Sequence, residues 1–175
     1  MVRNALISTL FAVIGVLVAR ADSAAGVAPA DGVLHAADRV VVRKAERRMD
    51  LYRGGAVIAS YRVSLGLNPM GDKQREGDFR TPEGRYRLTR RNAQSDFYLA
   101  VQVSYPEPAD LALARRNGWA AGGSIMVHGL PNLLKYPRDR YLSTDWTDGC
   151  IALSDEDMLD FWLLTGDGTP IEIRP

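Results

Sequence analysis

The sequence predicts a mainly β domain with flanking helices, and two observations lead to that fold class. From Ala37 onward, most apolar runs are short, rich in β-branched and aromatic residues, and bounded by turn residues, a pattern typical of strands. Only two segments in this stretch combine helix start and stop signals. The chain of 175 residues is long enough for one domain with a hydrophobic core of its own.

The first predicted strands form an antiparallel meander. Residues 39–43 and 48–52 are two such runs, separated by a charged turn. Arg53, Gly54 and Gly55 then predict a hairpin turn into a third strand at 56–64.

A second group of strands is predicted after a long irregular segment. Residues 66–84 are rich in glycine and polar residues, and Thr81-Pro82-Glu83-Gly84 fits a type I turn. Strand alternation returns at 85–88, and residues 170–174 predict a final strand at the end of the chain.

Two helices are predicted from their end signals. Residues 108–117 begin with proline and an acid, end in arginines, and stop at Gly118. Ser154 is the predicted N-cap of the second helix, which ends at Gly166. Its predicted buried face consists of Met158, Phe161, Trp162 and Leu164.

The N-terminus predicts export. A basic start is followed by an uncharged, mostly apolar run at 5–19, which is shorter than the ~20 residues that span a membrane. Ala19 and Ala21 place small residues where a signal peptidase cleaves, so we expect cleavage before Asp22. An uncleaved membrane anchor is the alternative, because Arg20 would suit a membrane edge.

The predicted organisation is a signal peptide at 1–21, a linker at 22–37 and a catalytic domain at 38–175. The formal net charge is +1 and the arginines are scattered, which argues against nucleic acid as a partner. We expect a periplasmic monomer with no cofactor, no metal and no stable membrane partner once the signal is cleaved.

One thiol and one histidine form a candidate nucleophilic site. Cys150 is the only cysteine, and His128 is one of two histidines. Gly149 leaves the sulfur unshielded, and its amide can approach an oxyanion together with the Cys150 amide. If His128 held the thiol proton, a thiolate and imidazolium pair would lower the cysteine pKa. The alternatives are an inert buried thiol, an intermolecular disulfide, and a histidine that belongs to the core.

Four motifs occur in an order that resembles a known family. They are Ser64-Leu65-Gly66, then Lys73 with the run from Gly77 to Gly84, then Val127-His128-Gly129, and finally the run from Thr147 to Leu153. This series resembles the L,D-transpeptidase catalytic domain of bacterial cell-wall enzymes, also called the YkuD-type domain. The likeness extends from about Arg39 to Arg174.

The resemblance implies a YkuD-like β-sandwich with a helix beside it. It also implies that Cys150 is the nucleophile and His128 the base, with the Gly129 carbonyl orienting the imidazole. The amides near Gly149 and Cys150 would form the oxyanion hole. The long interval from residue 130 to 146 is a predicted flap.

Two positions depart from the family pattern. Asp148 replaces the histidine of the usual Ser/Thr-His-Gly-Cys motif, and Ala152 replaces a frequent Asn or Arg. We expect Asp148 to point away from the sulfur and to hold the ammonium of the acceptor, and Trp146 to form an aromatic wall beside it. The alternative role of Asp148 is that of a turn residue that bonds its own backbone. Thr147 and Arg80 are further predicted substrate-binding residues.

The family chemistry implies peptidoglycan stem peptides as partner and substrate. A bond from an L-centre to a D-residue would be cleaved through a thioester, which an amine such as that of diaminopimelate would resolve into a crosslink. The bond between stem positions three and four, and that between one and two, both remain open. A hydrolase of the same fold, acting as an L,D-carboxypeptidase or amidase, and a noncatalytic wall-binding module are the alternatives.

Overall fold

The computed structural model describes residues 36–175. Within them the strands are β1 Arg39–Arg43, β2 Arg48–Arg53, β3 Ala56–Arg62, β4 Gly84–Ser95, β5 Tyr98–Val103, β6 Met126–His128, β7 Ile151–Ala152 and β8 Pro170–Arg174. The helices are α1 Pro108–Arg116, α2 Arg138–Ser143 and α3 Asp155–Leu164. The predicted signal peptide, most of the linker and His35 lie outside the described residues.

The strands form one sheet in the order β3-β2-β1-β8-β4-β5-β6-β7. The predicted meander is confirmed, because β2 pairs antiparallel with both β1 and β3. Gly54 and Gly55 connect β2 to β3 with φ angles of 56° and 85°. A two-residue hairpin turn with both angles positive favours glycine, as the sequence predicted.

The sheet divides at β4 into two halves that share one core. Residues 84–87 of β4 pair with β8, whereas residues 88–95 pair with β5. Ser64, just after β3, bridges to Ala152 in β7 through two backbone hydrogen bonds of 2.9 and 2.8 Å. The two ends of the strand order therefore meet. The buried core draws on both halves, as in the predicted sandwich, and includes Val40, Met49, Leu51, Leu88, Val101, Val103, Val127 and Ile151.

The two predicted helices are present. α3 begins at its predicted cap, where the Asp157 amide donates to Ser154 Oγ at 3.0 Å. Met158 and Phe161 are fully buried, and Trp162 and Leu164 pack partly buried against the core. The short helix α2 lies inside the segment predicted as a flap and was not predicted.

The prediction of a type I turn at 81–84 is wrong, because the structure has no turn there and β4 begins at Gly84. Buried Lys44 holds this lead-in segment instead, since its Nζ donates to the Thr81 carbonyl at 2.9 Å and to Glu83 Oε1 at 2.8 Å. These contacts join residues far apart in sequence, which a local turn pattern does not report. Among the helices described, none is long and apolar enough to cross a membrane.

Candidate active site

Two short parallel strands bring the thiol and the imidazole to one face of the sheet. β6 and β7 pair with Val127 beside Ile151 and His128 beside Ala152. Cys150 directly precedes β7, so it lies beside Met126, two residues before His128. Because side chains alternate along a strand, positions 126 and 128 share a face. The Cys150 sulfur accepts the Met126 amide at 3.4 Å, and the thiol donates to the Ser124 carbonyl at 3.7 Å.

The turn before the thiol requires glycine. Gly149 has a φ of 129°, and a Cβ on it would lie 2.6 Å from the Arg80 carbonyl oxygen. Gly66 is equally constrained, because its Cβ would lie 2.1 Å from the Phe79 carbonyl oxygen. The irregular segment 66–84 therefore packs its backbone directly against the cysteine turn.

His128 is held in the tautomer that a base needs. Its Nδ1 lies 2.7 Å from the Gly129 carbonyl oxygen. A carbonyl only accepts, so Nδ1 carries the proton and the Nε2 lone pair is left to receive one. Gly129 itself is confined, since a Cβ there would lie 2.7 Å from Asp155 Oδ1. The geometry matches the role that the resemblance implies for Gly129.

Aromatic side chains enclose the imidazole. The Phe97 ring lies 4.7 Å from the His128 ring and the Trp146 ring lies 5.6 Å from it, between centroids. Trp146 is fixed by its Nε1, which donates to the Tyr141 carbonyl at 3.0 Å. Phe97 was missed in the sequence, where its only signal is an aromatic residue in the polar connection between β4 and β5.

Burial sets the protonation of the resting pair. Loss of solvent lowers the pKa of His128 to about 4, against the smaller opposing effect of the Gly129 carbonyl. Burial also raises the pKa of the Cys150 thiol; the Met126 amide opposes this rise and nearby Asp148 adds to it. At neutral pH the pair is thus a thiol and a neutral imidazole. This differs from the ion pair expected from sequence, because both groups are desolvated.

Thr147 organises the turn and changes the predicted oxyanion hole. Its hydroxyl donates to the Cys150 carbonyl at 2.8 Å and accepts from the Gly149 amide at 3.1 Å. The Gly149 amide is therefore already engaged, contrary to the prediction that it faces an oxyanion. The Cys150 amide has no acceptor among the described residues and is the available donor. Thr147 is buried and acts here as a turn residue.

Asp148 lies exposed on the rim of the thiol cavity. This cavity of about 480 Å³ is lined by Cys150, His128, Trp146, Thr147 and Asp148, together with the residues of the β4–β5 connection. Within residues 36–175 the Asp148 carboxylate accepts no hydrogen bond, and the turn bond is made by Thr147 instead. Asp148 is near enough to raise the pKa of the thiol.

Arg80 does not line the thiol cavity. Its Nη1 donates to the Asp72 carbonyl at 3.2 Å, and its side chain lines a separate cavity with Asn68 and Asp78. Its backbone carbonyl is the atom that packs against Gly149. The predicted substrate contact from this side chain is therefore corrected to a backbone contact that shapes the turn.

A buried ion pair holds the segment that carries Arg80. Lys73 Nζ donates to Asp78 Oδ1 at 2.8 Å, and the same carboxylate accepts the amides of Gln74, Arg75 and Arg80. Lys73 therefore has a partner and a structural role. No group of three His, Cys, Asp or Glu residues in the described part of the chain has the arrangement of metal ligands.

Comparison with known proteins identifies the family. Residues 37–173 match the model of the YkuD family, the L,D-transpeptidase catalytic domain. The chain belongs to this family. The family consists of cysteine-dependent L,D-transpeptidases that act on peptidoglycan stem peptides, so the chain carries a peptidoglycan-related domain of L,D-transpeptidase type.

Individual relatives agree with this assignment. The chain is 32% identical over 96 residues to YafK of Escherichia coli K12, which is named only provisionally as an L,D-transpeptidase; the match covers 51% of this chain and 37% of YafK. The helical cell shape determining protein Pgp2 from Campylobacter jejuni has a TM-score of 0.58 at 28% identity, covering 77% of this chain and 46% of Pgp2. Bd1075 of Bdellovibrio bacteriovorus shares the fold, with a TM-score of 0.54 at 22% identity, 80% of this chain and 51% of that one. The match thus spans less than half the length of YafK and of Pgp2.

Proposed function

We propose that the protein is a peptidoglycan L,D-transpeptidase that uses Cys150 as nucleophile and His128 as base. The observation that carries the proposal is the oriented imidazole: Nδ1 is held by the Gly129 carbonyl, and Nε2 is unprotonated on the sheet face that carries the lone thiol. A thiol that shares a sheet face with an oriented, unprotonated base is the arrangement that covalent acyl transfer needs.

The proposed reaction has two halves. The Cys150 thiol transfers its proton to Nε2 of His128 as the sulfur attacks the carbonyl carbon of the L-residue, and the Cys150 amide stabilises the oxyanion. The imidazolium then protonates the departing nitrogen of the D-residue, the C–N bond breaks, and a thioester remains. In the second half an amine attacks the thioester, gives a proton to Nε2, and the C–S bond breaks to restore the thiol.

The donor is a stem-peptide bond from an L-centre to a D-residue, between positions three and four or between one and two. The family membership supports this class of bond, and the predicted export signal supports a periplasmic site of action. The likeness to Pgp2, a cell-shape protein, supports a role in determining cell shape.

The test is product analysis with a matched active-site variant. Purified wild type is incubated with stem tetrapeptides, and the products are identified by mass spectrometry beside those of Cys150→Ala. We expect crosslinked dimers and the released D-side fragment from wild type only. Equal product from Cys150→Ala would overturn the mechanism. Binding of wall fragments by both proteins, with no product from either, would favour a noncatalytic module.

Hydrolysis is the second candidate, and Asp148 is the observation that favours it. A carboxylate on the rim of the thiol cavity attracts an ammonium but also raises the pKa of an approaching amine, which keeps that amine protonated and unable to attack. Water has no such charge and would reach the thioester unhindered. The enzyme would then trim stems as an L,D-carboxypeptidase or amidase.

The Asp148→Asn variant distinguishes the two functions by opposite signs. If Asp148 recruits the acceptor, the variant forms thioester at the wild-type rate but transfers it to amines more slowly, with a larger share of hydrolysis. If Asp148 suppresses amine attack, the share of transfer rises instead. Equal losses in both half-reactions, measured as acyl-enzyme formation and decay, would assign Asp148 to turn structure alone.

A further inference from the structure

A second cavity adjoins the thiol cavity across an aromatic wall. The wall consists of Phe97 and Trp146, whose rings stack with centroids 6.1 Å apart and an angle of 25° between their planes. Both side chains line the thiol cavity and also a neighbouring cavity of about 530 Å³ beneath the predicted flap. We call this neighbour the flap cavity. Its other lining residues include Leu67, Leu133, Lys135, Tyr136, Arg140 and Tyr141.

The two cavities carry opposite charge. Among the described residues that line the thiol cavity, the charged side chains besides the catalytic pair are Asp96 and Asp148, with no lysine or arginine. The flap cavity is lined by Lys135 and Arg140, neither of which has a carboxylate within salt-bridge distance in residues 36–175. Asp145 is the one acidic residue that lines the flap cavity, and its Oδ2 forms a salt bridge with Arg47 Nη2 at 2.8 Å.

Arg140 is held in place by an aromatic ring rather than by an anion. Its guanidinium carbon lies 4.1 Å from the centroid of the Tyr136 ring. A guanidinium stacked in this way keeps its N–H donors for a planar bidentate acceptor, and a carboxylate is such an acceptor. Lys135 adds a second positive charge to the same cavity.

We propose that the flap cavity binds the α-carboxylate of D-Glu in the donor stem peptide while the scissile bond lies across the aromatic wall at the thiol. The proposal rests on the proposed function and names the substrate feature that the site recognises. The thiol cavity repels carboxylates through Asp96 and Asp148, so a stem carboxylate is favoured where the unpaired cations lie. For a bond between positions three and four, the D-Ala carboxylate departs with the leaving residue and two free carboxylates remain on the acyl side. That of diaminopimelate shares a carbon with an ammonium, which the two cations repel; the D-Glu carboxylate has no such neighbour.

The test measures binding separately from chemistry. Calorimetry in the Cys150→Ala background gives the affinity for a stem tetrapeptide with a free D-Glu carboxylate and for the same peptide with a carboxamide there. We expect Arg140→Gln to lower the affinity for the peptide with the free D-Glu carboxylate by about tenfold or more, as loss of a charged hydrogen bond does. The same variant should bind the carboxamide peptide as tightly as its parent does, and Lys135→Gln should show a smaller effect of the same kind.

The matched control is Arg138→Gln, an exposed arginine on the same helix that pairs with Glu156 and does not line the flap cavity. It should leave both affinities unchanged. The proposal is overturned if Arg140→Gln lowers the affinities for the free-acid and the carboxamide peptide equally, or lowers neither affinity. Because no turnover is needed, failure of wild type to form an acyl-enzyme would contradict the proposed function while carboxylate-dependent binding would still stand.

Discussion

The strand pair that carries the proposed catalytic residues and the rim that surrounds it are built differently. Val127 and Ile151, which align β6 with β7, are fully buried, and His128 beside them is only 4% exposed. The rim is open: Leu133 in the predicted flap is 86% exposed, and Asp148 has no partner in the described chain. The proposed nucleophile and base thus lie on strands that the core holds, while the rim offers exposed side chains to a ligand.

The largest effect is expected from removing the proposed base, His128, from the core. His128→Ala should lower turnover by about 10²- to 10⁴-fold, as loss of a general base does. Acyl-enzyme formation measured by stopped flow with a stem peptide checks this. His35→Ala, in the predicted linker, should match wild type; wild-type rates from both variants would assign thiol activation to another residue.

A second change tests the rigidity of the cysteine turn. Gly149→Ala places a Cβ 2.6 Å from a backbone oxygen at a φ of 129°, so we expect a loss of unfolding free energy of about 1–3 kcal/mol together with lost acylation. Thermal denaturation measures the first effect. Gly166→Ala is the matched control, because nothing lies within 4 Å of its added Cβ. Equal stability of both variants would contradict the close packing.

The pH dependence of activity and of thiol labelling reports on the burial of the proposed catalytic pair. Since burial lowers the pKa of His128 to about 4, the imidazole stays neutral and kcat/KM should keep its value down to about that pH. The raised thiol pKa predicts slow labelling of Cys150 by iodoacetamide at pH 7, with the rate rising only at alkaline pH. In Asp148→Asn this rise should begin at a lower pH, because the Asp148 carboxylate contributes to the raised pKa. Fast labelling at pH 5 to 6 would instead indicate a thiolate and imidazolium pair.

The same depressed pKa makes a prediction about stability. Below pH 6.5, the ordinary pKa of histidine, His128 binds a proton in the unfolded chain but stays unprotonated in the folded protein. The contribution of His128 to the free energy of unfolding therefore falls as the pH decreases from 6.5 to about 4. Wild type should therefore lose more stability than His128→Gln over this window in chemical denaturation. Parallel losses in the two proteins would contradict the burial argument.

The smallest expected effect lies where the core meets the rim. Phe97→Ala removes a ring 4.7 Å from the His128 ring and should slow acylation by about two- to tenfold, the range of one aromatic contact. Trp119→Ala is a control at an exposed aromatic residue that does not line the thiol cavity. An effect of Phe97→Ala as large as that of His128→Ala would mean that the wall positions the base.

The sequence predicted the parts of the molecule that local patterns determine. The meander, α1, α3 and the glycine hairpin all follow from neighbouring residues, and they are confirmed. β5, the full length of β4 and the helix inside the flap were not predicted. The run from Arg85 to Ser95 is largely polar, and it forms one long strand only because it pairs with β8 and with β5.

The site shows the same division. Residue type and flanking glycines, which local sequence reports, predict Cys150 and His128 as the candidate pair. The engaged amide of Gly149, the displaced side chain of Arg80 and the contact of Phe97 with the imidazole depend on pairings across the fold. The burial that keeps the resting pair neutral is likewise a tertiary property.

Intact-protein mass spectrometry during turnover is the most direct test of whether Cys150 carries the acyl group. Wild type mixed with a stem tetrapeptide whose diaminopimelate side-chain amine is acetylated, so that no amine acceptor is present, should gain the mass of the donor acyl fragment, which peptide mapping should place on Cys150; Cys150→Ala should gain nothing. A wild-type protein that releases the D-side fragment without any adduct, or an adduct that persists in Cys150→Ala, would contradict a thioester on Cys150.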